Sequence, residues 1–247
     1  MPKLIIRSAL KLLSLFGEKS RVLADYWRTH YVAEHEPELI NLDRIIKIFS
    51  LDTKRLAVDV GANYGLWTYA LSRRFSEVIA IEPNPNLANI ISRRLRATVI
   101  QTAVSNVSEG VKMWIPHDIN GALVGWASLD PGNCPHALFK ESINVKTMLL
   151  NDILKGYSPI FIKIDVEGHE YETLLGSVDI IRVSRPVILC EIKPHNLEKI
   201  QILIESINYF LVRSKDVLNL PTSSEMFFIV PFDNPHFSHI AMKAVRI

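Results

Sequence analysis

Cysteine is nearly absent from this sequence. Cys134 and Cys190 are the only two in 247 residues, and they have no metal-like spacing. Cys190 sits inside "PVILCEI", which reads as a buried strand. That argues against a disulfide framework and for a reducing, cytoplasmic setting. Net charge is equally scarce. The 28 Lys and Arg nearly balance the 26 Asp and Glu, leaving +2. So weak a balance is no electrostatic footprint for nucleic acid, and no nucleic-acid partner is expected. The arginines do gather locally, at Arg73-Arg74 and at Arg93-Arg94-Arg96, where they read as solvated helix faces. No apolar run reaches the length of a membrane span. Arg7 and Lys11 interrupt the opening "MPKLIIRSALKLLSLFGEK", so a clean signal-peptide core is missing. Lys3, Arg7, Lys11 and Ser14 instead share one side of a helix, opposite Leu, Ile and Phe. Such a helix either packs on its own domain or makes a peripheral membrane contact, and both alternatives stay open.

The remaining features suit one large α/β domain with an added helical segment. Hydrophobic residues at 48% and charged residues at 22% are the proportions of a globular chain. Residues 1–50 are expected to be helical, a cap over the substrate side; "PELINLDRIIKIF" places Pro37 in a first helical turn. Residues 51–247 form the main domain. There the short apolar strands "RLAVDV", "VIAIE" and "TVIQTAV" alternate with the helical "YGLWTYALSRRF" and "NLANIISRRLR". After an irregular middle the alternation resumes with "IFIKID", "HEYETLL", "RPVILCEI" and "NLEKIQILIESI". This is the pattern of βαβ units on a parallel sheet. "YFLVR" and "MFFIV", with no helical pattern between them, predict an antiparallel finish. In the middle, "VKMWIPH" and "INVKTM" read as strands around a long loop, "DINGALVGWASLDPGNCPHA", expected on a functional rim.

"VDVGANYGLWT" follows a strand and opens a helix, the context of a cofactor loop. Gly61 permits a tight turn with close backbone approach, and Gly65 lets the helix begin against a ligand. Glu82 ends the second strand, where a carboxylate accepts hydrogen bonds from ribose hydroxyls of NAD or S-adenosylmethionine. A dinucleotide site wants G-x-G-x-x-G, and the glycines here stand at Gly61 and Gly65 with Asn63 between. Asp59, two residues before Gly61, suits a cationic ligand group such as the amino group of a methionine moiety. S-adenosylmethionine is therefore the expected cofactor, and an NAD-dependent oxidoreductase is the alternative.

Taken in order, "VDVGANYGLWT", "IEPNP", "TAVS" and "IKIDVEGHEYETLLG" resemble the FkbM family of S-adenosylmethionine-dependent methyltransferases, from about Leu56 to Ile192. The resemblance implies a class I methyltransferase domain: a Rossmann-like, mostly parallel seven-stranded sheet with helices on both faces. The strand order would be 3-2-1-4-5-7-6, with strand 7 antiparallel. It implies O-methylation, often of sugars or polyketide hydroxyls. Carried over by position, Asp59, Gly61, Asn63 and Gly65 form the first cofactor motif, Glu82 holds the ribose, and Thr102 and Ala103 flank the adenine.

One stretch asks for a separate explanation. "FIKIDVEGHE" turns from apolar to ionisable within a few residues, and burying such groups without partners is costly. In a doubly wound sheet, ligands sit outside the carboxyl ends of the strands where the order switches direction. Gly61 follows the first strand and Asp165 ends the fourth, so both belong at that crevice. Lys163, Asp165 and Glu167 share parity along the strand. Asp165, Glu167 and His169 are candidate bases for removing a hydroxyl proton. The carboxylates have a second option, holding a divalent ion. Lys163 and Glu191, the latter one strand further along the rim, are candidate acceptor-binding residues. Glu170 and Glu172 read as acids favoured by the dipole of the next helix. The histidines of "HYVAEHE" and "PHFSHI" have no ligand company. The expected partner is a hydroxylated small molecule or glycan, and a non-catalytic protein using the same fold for partner binding is a further alternative.

Overall fold

The computed structural model describes residues 36–118, 121–122, 126–132, 137, 139–220, 225–236, 238 and 240. The expected basic helix with Lys3, Arg7 and Lys11 lies outside these residues, as does Cys134. The "PELINLDRIIKIF" stretch is helical at Pro37–Ile40 and Leu42–Ile48. The chain divides into two compact units after Ile45, and the sheets and the candidate site belong to the larger one.

Strands form where the apolar runs predict them, except Gly121–Ala122, which lies within the expected long loop. They are β1 Leu56–Val60, β2 Glu77–Ile81, β3 Thr98–Ile100, β4 Ala103–Val104, β5 Gly110–Asp118, β6 Gly121–Ala122, β7 Phe139–Met148, β8 Pro159–Ile164, β9 Val187–Glu191, β10 Tyr209–Arg213 and β11 Met226–Pro231. Seven of them make the main sheet, in the order β3-β2-β1-β8-β9-β11-β10. Strands β3 through β9 in that order pair parallel, while β11 runs antiparallel to both β9 and β10. This is the expected seven-stranded topology with its antiparallel finish. Every residue of β1 and of β11 is buried, as strands covered on both faces must be. The core threads Val58, Ile79, Ile162, Ile164, Ile188 and Ile229 through the sheet and packs Ile200 and Ile204 of the helix Leu197–Glu205 against it.

The expected third strand, "TVIQTAV", is two strands in two sheets. β3 closes the main sheet; β4 joins a second sheet in the order β4-β7-β5-β6. The chain breaks at Thr102, whose N–H turns back to the Ile100 carbonyl at 3.1 Å. Its hydroxyl donates to the Lys146 carbonyl of β7 at 3.0 Å. The stretch reads as one strand because β-prone residues stand on both sides of Gln101-Thr102, so the sequence pattern did not mark the turn. The two strands expected in the irregular middle pair as an antiparallel hairpin, β5 with β7. Between them Ser128 bridges back to Trp114, which holds part of the long loop against β5 of the second sheet. Short helices at Leu150–Ile153, Val178–Ser184 and Ser214–Leu218 escaped the sequence pattern. None exceeds two turns, too short to display a periodicity. No helix among the described residues is long and apolar enough to cross a membrane.

Candidate active site

The sheet order reverses between β1 and β8, and the two strand ends meet there. The Asp165 N–H donates to the Val60 carbonyl at 3.1 Å. Gly61 has a φ of +78°, and a Cβ there would overlap the Asp165 carbonyl oxygen. The glycine is needed for this approach of backbone to backbone. Gly65, at φ +80°, caps the helix Leu66–Ser72 in a left-handed conformation. A Cβ at Gly65 would stand 2.8 Å from Leu95 Cδ1, so this glycine faces the next helix, Pro85–Arg94, rather than the crevice.

A pocket opens beside this meeting point. Its floor and sides include Gly61, Asn63, Glu82, Thr102, Ala103 and Asp165, with Glu167 and His169 at one side. Eight of the twelve expected site residues thus border one space. Asp59, Gly65, Lys163 and Glu191 do not line it. Asp59 is fully buried in β1. Its Oδ2 accepts from the Thr68 hydroxyl at 2.6 Å, and its Oδ1 is buried without a hydrogen-bond partner, as is Asn63 Oδ1. Glu82 receives the Asn63 N–H at 2.7 Å on one oxygen and the Asn84 N–H at 2.8 Å on the other. Its carboxyl ties the cofactor-type loop to the end of β2. Burial raises Glu82 to about 7 against the lowering effect of those two N–H groups. Burial raises Asp59 too, opposed by the ammonium of Lys163 and the Thr68 hydroxyl.

Lys163 is 3% exposed and lies in register with Asp59 across the β1–β8 pair. Its ammonium donates to Asp165 Oδ2 at 2.9 Å. It therefore stands behind Asp165 and sets that residue's charge. Desolvation pushes Asp165 up, but Lys163, a hydrogen bond with Glu191 and the nearby Lys193 together hold it below the usual carboxylate value. Glu191 moves the other way. Desolvation, then the charges of Asp165 and Glu167, raise it to about 9. At neutral pH the pair therefore holds one proton, carried by Glu191, with Asp165 ionised.

Beyond Asp165 the chain turns sharply, with Glu167 at φ +51° and Gly168 at φ +103°. Four bonds fix the turn. The Ser128 hydroxyl donates to the Glu167 carbonyl at 2.6 Å. The Gly168 N–H donates to Glu170 at 2.6 Å. Asn196 Nδ2 donates to Glu170 at 2.6 Å and to the Gly168 carbonyl at 2.9 Å. Glu170 is fully buried and braces this turn; the helix dipole is a minor part of its environment. His169 presents both ring nitrogens to protein groups, Nε2 to the Ser105 hydroxyl at 3.0 Å and Nδ1 to Glu172 at 3.6 Å. Desolvation lowers its pKa against the pull of Glu172 and Asp130, so the ring is neutral near pH 7.

The carboxylates of Asp165, Glu167 and Glu191 each offer an oxygen within 4.8 Å of the others. Lysines already serve all three. Lys163 pairs with Asp165, and Lys193 sits 3.4 Å from Glu167, 3.3 Å from Glu191 and 3.4 Å from Glu225. Burial opposes the charge of Lys193, and those three acids keep it protonated. Sequence reasoning missed Lys193, although its i+2 spacing from Glu191 was a usable signal. Met113, Ala127, Ser128 and Leu129 also line the pocket; Met113 was signalled only within the strand "VKMWIPH", and the other three only as part of a long rim loop. Glu170 was read only as a first-turn acid, and Asn196 and Ser105 were given no role.

A family description, the methyltransferase FkbM domain, matches residues 59–226. Among solved structures, an FkbM methyltransferase from Methylobacillus flagellatus is similar at 18% identity and a TM-score of 0.48, over 72% of this chain and 44% of that one. The chain thus spans less than half the length of that protein. A putative rRNA-methylase from Clostridium thermocellum is similar at 11% identity and a TM-score of 0.46, over 77% of this chain and 92% of that one. Magnesium protoporphyrin IX methyltransferase from Synechocystis, solved with bound SAM, is similar at 11% identity and a TM-score of 0.44, over 94% and 97% of the two chains. No curated protein matches the chain.

Proposed function

This chain belongs to the FkbM methyltransferase family, and we propose that it transfers the methyl group of S-adenosylmethionine to a hydroxyl of a sugar, glycan or other small molecule. One observation carries the reading: Asp165 stands just past the end of β8, paired with the Lys163 ammonium, against the Gly61 loop and in one pocket with Glu82. Family membership sets the NAD-dependent alternative aside.

The residues present fit the cofactor. Asn63, which lines the pocket, has a buried Oδ1 without a partner, an acceptor of the kind an ammonium group needs; Asp59 Oδ1 is unpartnered too but lies outside the lining. Glu82 can receive ribose hydroxyls on the lone pairs its two backbone donors leave. Ala103, Leu87 and Met113 give apolar walls for a base. Bound there, S-adenosylmethionine supplies an electrophilic methyl group on a sulfonium. Asp165 then accepts the proton of the acceptor hydroxyl as its oxygen becomes an ether. Lys163 keeps Asp165 ionised and fixed in place, which limits its basicity; much of its contribution is orienting the hydroxyl. Glu191 keeps its own proton and hydrogen-bonds Asp165 throughout. Lys193 and Glu167 extend a polar rim suited to an acceptor rich in hydroxyls. His169, with both nitrogens facing protein, supports the turn that places Glu167.

The test is incubation with methyl-labelled S-adenosylmethionine and candidate sugar or lipid-linked acceptors, with mass analysis of the products. Label on a hydroxyl oxygen is expected. Label on nitrogen or carbon would replace the O-methyl reading. Cofactor binding without turnover on any acceptor would favour the non-catalytic alternative.

Cofactor affinity should depend on pH through Glu82. A carboxylate accepts ribose hydroxyls better than a carboxylic acid does, and Glu82 titrates at about 7. S-adenosylhomocysteine binding measured by calorimetry should weaken as pH falls below 7, by up to about tenfold per unit for one linked proton. Glu82→Gln should bind more weakly and lose this pH dependence. An unchanged profile in that variant would remove Glu82 from the ribose position.

A further inference from the structure

The position of Lys193 is set from two sides. Before it, the Ile192 N–H donates to the Glu225 carbonyl at 2.8 Å, which joins the end of β9 to the residue preceding β11. After it, the Asn196 N–H returns to the Lys193 carbonyl at 2.9 Å, and Asn196 Nδ2 donates to the Gly168 carbonyl at 2.9 Å. The backbone that carries Lys193 is thereby clipped to the turn that carries Glu167. Its ammonium lies 3.4 Å from Glu167, 3.3 Å from Glu191 and 3.4 Å from Glu225. These acids come from three separate segments, and the lysine side chain is 20% exposed. An isolated ion pair in water is worth little. An ammonium drawn in among three acids is a different case, because deleting it leaves neighbouring carboxylates without their shared counter-charge.

Two of these acids also belong to the group with metal-like spacing, Asp165, Glu167 and Glu191. Charge is already balanced there. Lys163 and Lys193 bring two positive charges. Asp165 and Glu167 bring two negative ones, and Glu191 holds a proton at neutral pH. Glu225 adds a further negative charge, exposed to solvent. A divalent ion entering this group would have to displace Lys193 or sit a few ångströms from it, and like charges at that range repel strongly.

We propose that Lys193 is the resident cation of this cluster: its ammonium takes the place of a divalent ion among the carboxylates, keeps such ions out, and leaves a metal site behind when it is removed. The consequence for chemistry rests on the methyl-transfer reading. A divalent ion lowers the pKa of an oxygen bound to it. An ammonium offers one positive charge and N–H donors, so it helps to orient an acceptor hydroxyl and leaves removal of the proton to Asp165. Lys193 is in this sense a positioning residue, and methyl transfer proceeds without a metal.

The test is calorimetric titration of the full chain with manganese(II) at neutral pH. The wild type should show no saturable site that depends on Glu167. Lys193→Met should gain one, with manganese bound at least about tenfold more tightly because a unit charge a few ångströms away has gone. Adding Glu167→Gln to Lys193→Met should remove the gained site. Lys199→Met, which deletes the same charge beside Glu172, should gain none. Manganese should raise the unfolding temperature of Lys193→Met and leave that of the wild type unchanged. Lys193→Gln, which keeps a polar end, repeats the measurement in a second variant. Wild-type manganese binding that Glu167→Gln removes would overturn the proposal. So would folded Lys193 variants that gain no site, or an equal gain in Lys199→Met. Two Lys193 variants that fail to fold would reduce the lysine to a structural pair and overturn it as well. With an acceptor in hand, wild-type turnover should survive a chelator, and its loss would also overturn the proposal. Failure of every acceptor would count against the methyl-transfer reading alone, since the manganese titration needs no acceptor.

Discussion

Asp165→Asn should lower turnover by about 10²–10⁴, the usual range for a general base, while S-adenosylhomocysteine affinity changes little. The substitution keeps the size of the side chain and some of its hydrogen bonding but removes its charge. Lys163 then loses its 2.9 Å carboxylate partner at a position only 3% exposed, so some loss of stability should accompany the loss of rate. Two companion variants separate the roles. Glu191 is protonated at neutral pH, so Glu191→Gln preserves a neutral donor toward Asp165 and should retain most activity. Glu191→Ala should not. His169→Ala should act mainly through stability, since the ring bonds Ser105 and faces Glu172. A His169→Ala enzyme that folds normally yet turns over more slowly than Asp165→Asn would move the base to the histidine. A chelator that abolishes turnover would show that the lysines yield the acidic cluster to a metal ion.

Gly61→Ala should be the most disruptive single methyl group added to this protein. The new Cβ would overlap the Asp165 carbonyl oxygen at a φ of +78°, a region that side chains occupy only at a cost. Neither backbone can yield cheaply, because the Asp165 N–H is bonded to the Val60 carbonyl and β1 is buried throughout. Strain of this kind and forced overpacking each cost roughly 1–3 kcal/mol. Urea unfolding should show a loss of that order or larger, with cofactor binding weakened even in the folded fraction, because β1 and β8 must separate at the pocket. Gly110→Ala, where the added atom meets nothing within 4 Å, is the control and should leave both unchanged. Equal stability of the two variants would mean that the strand ends are looser than their hydrogen bond implies.

Much of the framework could be read directly. The seven strands of the main sheet are short apolar runs with clear turn residues between them, and such runs report their own burial. Resemblance to the family supplied the strand order; the antiparallel finish was read from "YFLVR" and "MFFIV" themselves, although a short helix, Ser214–Leu218, lies between them. Asp59, Gly61, Asn63, Glu82 and Asp165 stood out because each breaks an apolar pattern at a strand end, where only a turn or a ligand explains a glycine or an acid. The split of "TVIQTAV" was not legible: its cause is the Thr102 hydroxyl reaching Lys146, 44 residues away. Glu170 was read as a first-turn acid favoured by the helix dipole, and its burial against Asn196 depends on a helix that follows a further strand.

Chemistry divides along the same line. The sequence by itself determined which residue types reach the carboxyl edge of the sheet, since alternation and strand length fix where each strand ends. Only the tertiary structure decided which of them act together. Lys163 sits behind Asp165, Lys193 joins Glu167 to Glu191 and Glu225, and the proton rests on Glu191 while Asp165 stays charged. Those assignments depend on distances between strands and on desolvation, both long-range quantities that no local run of residues encodes.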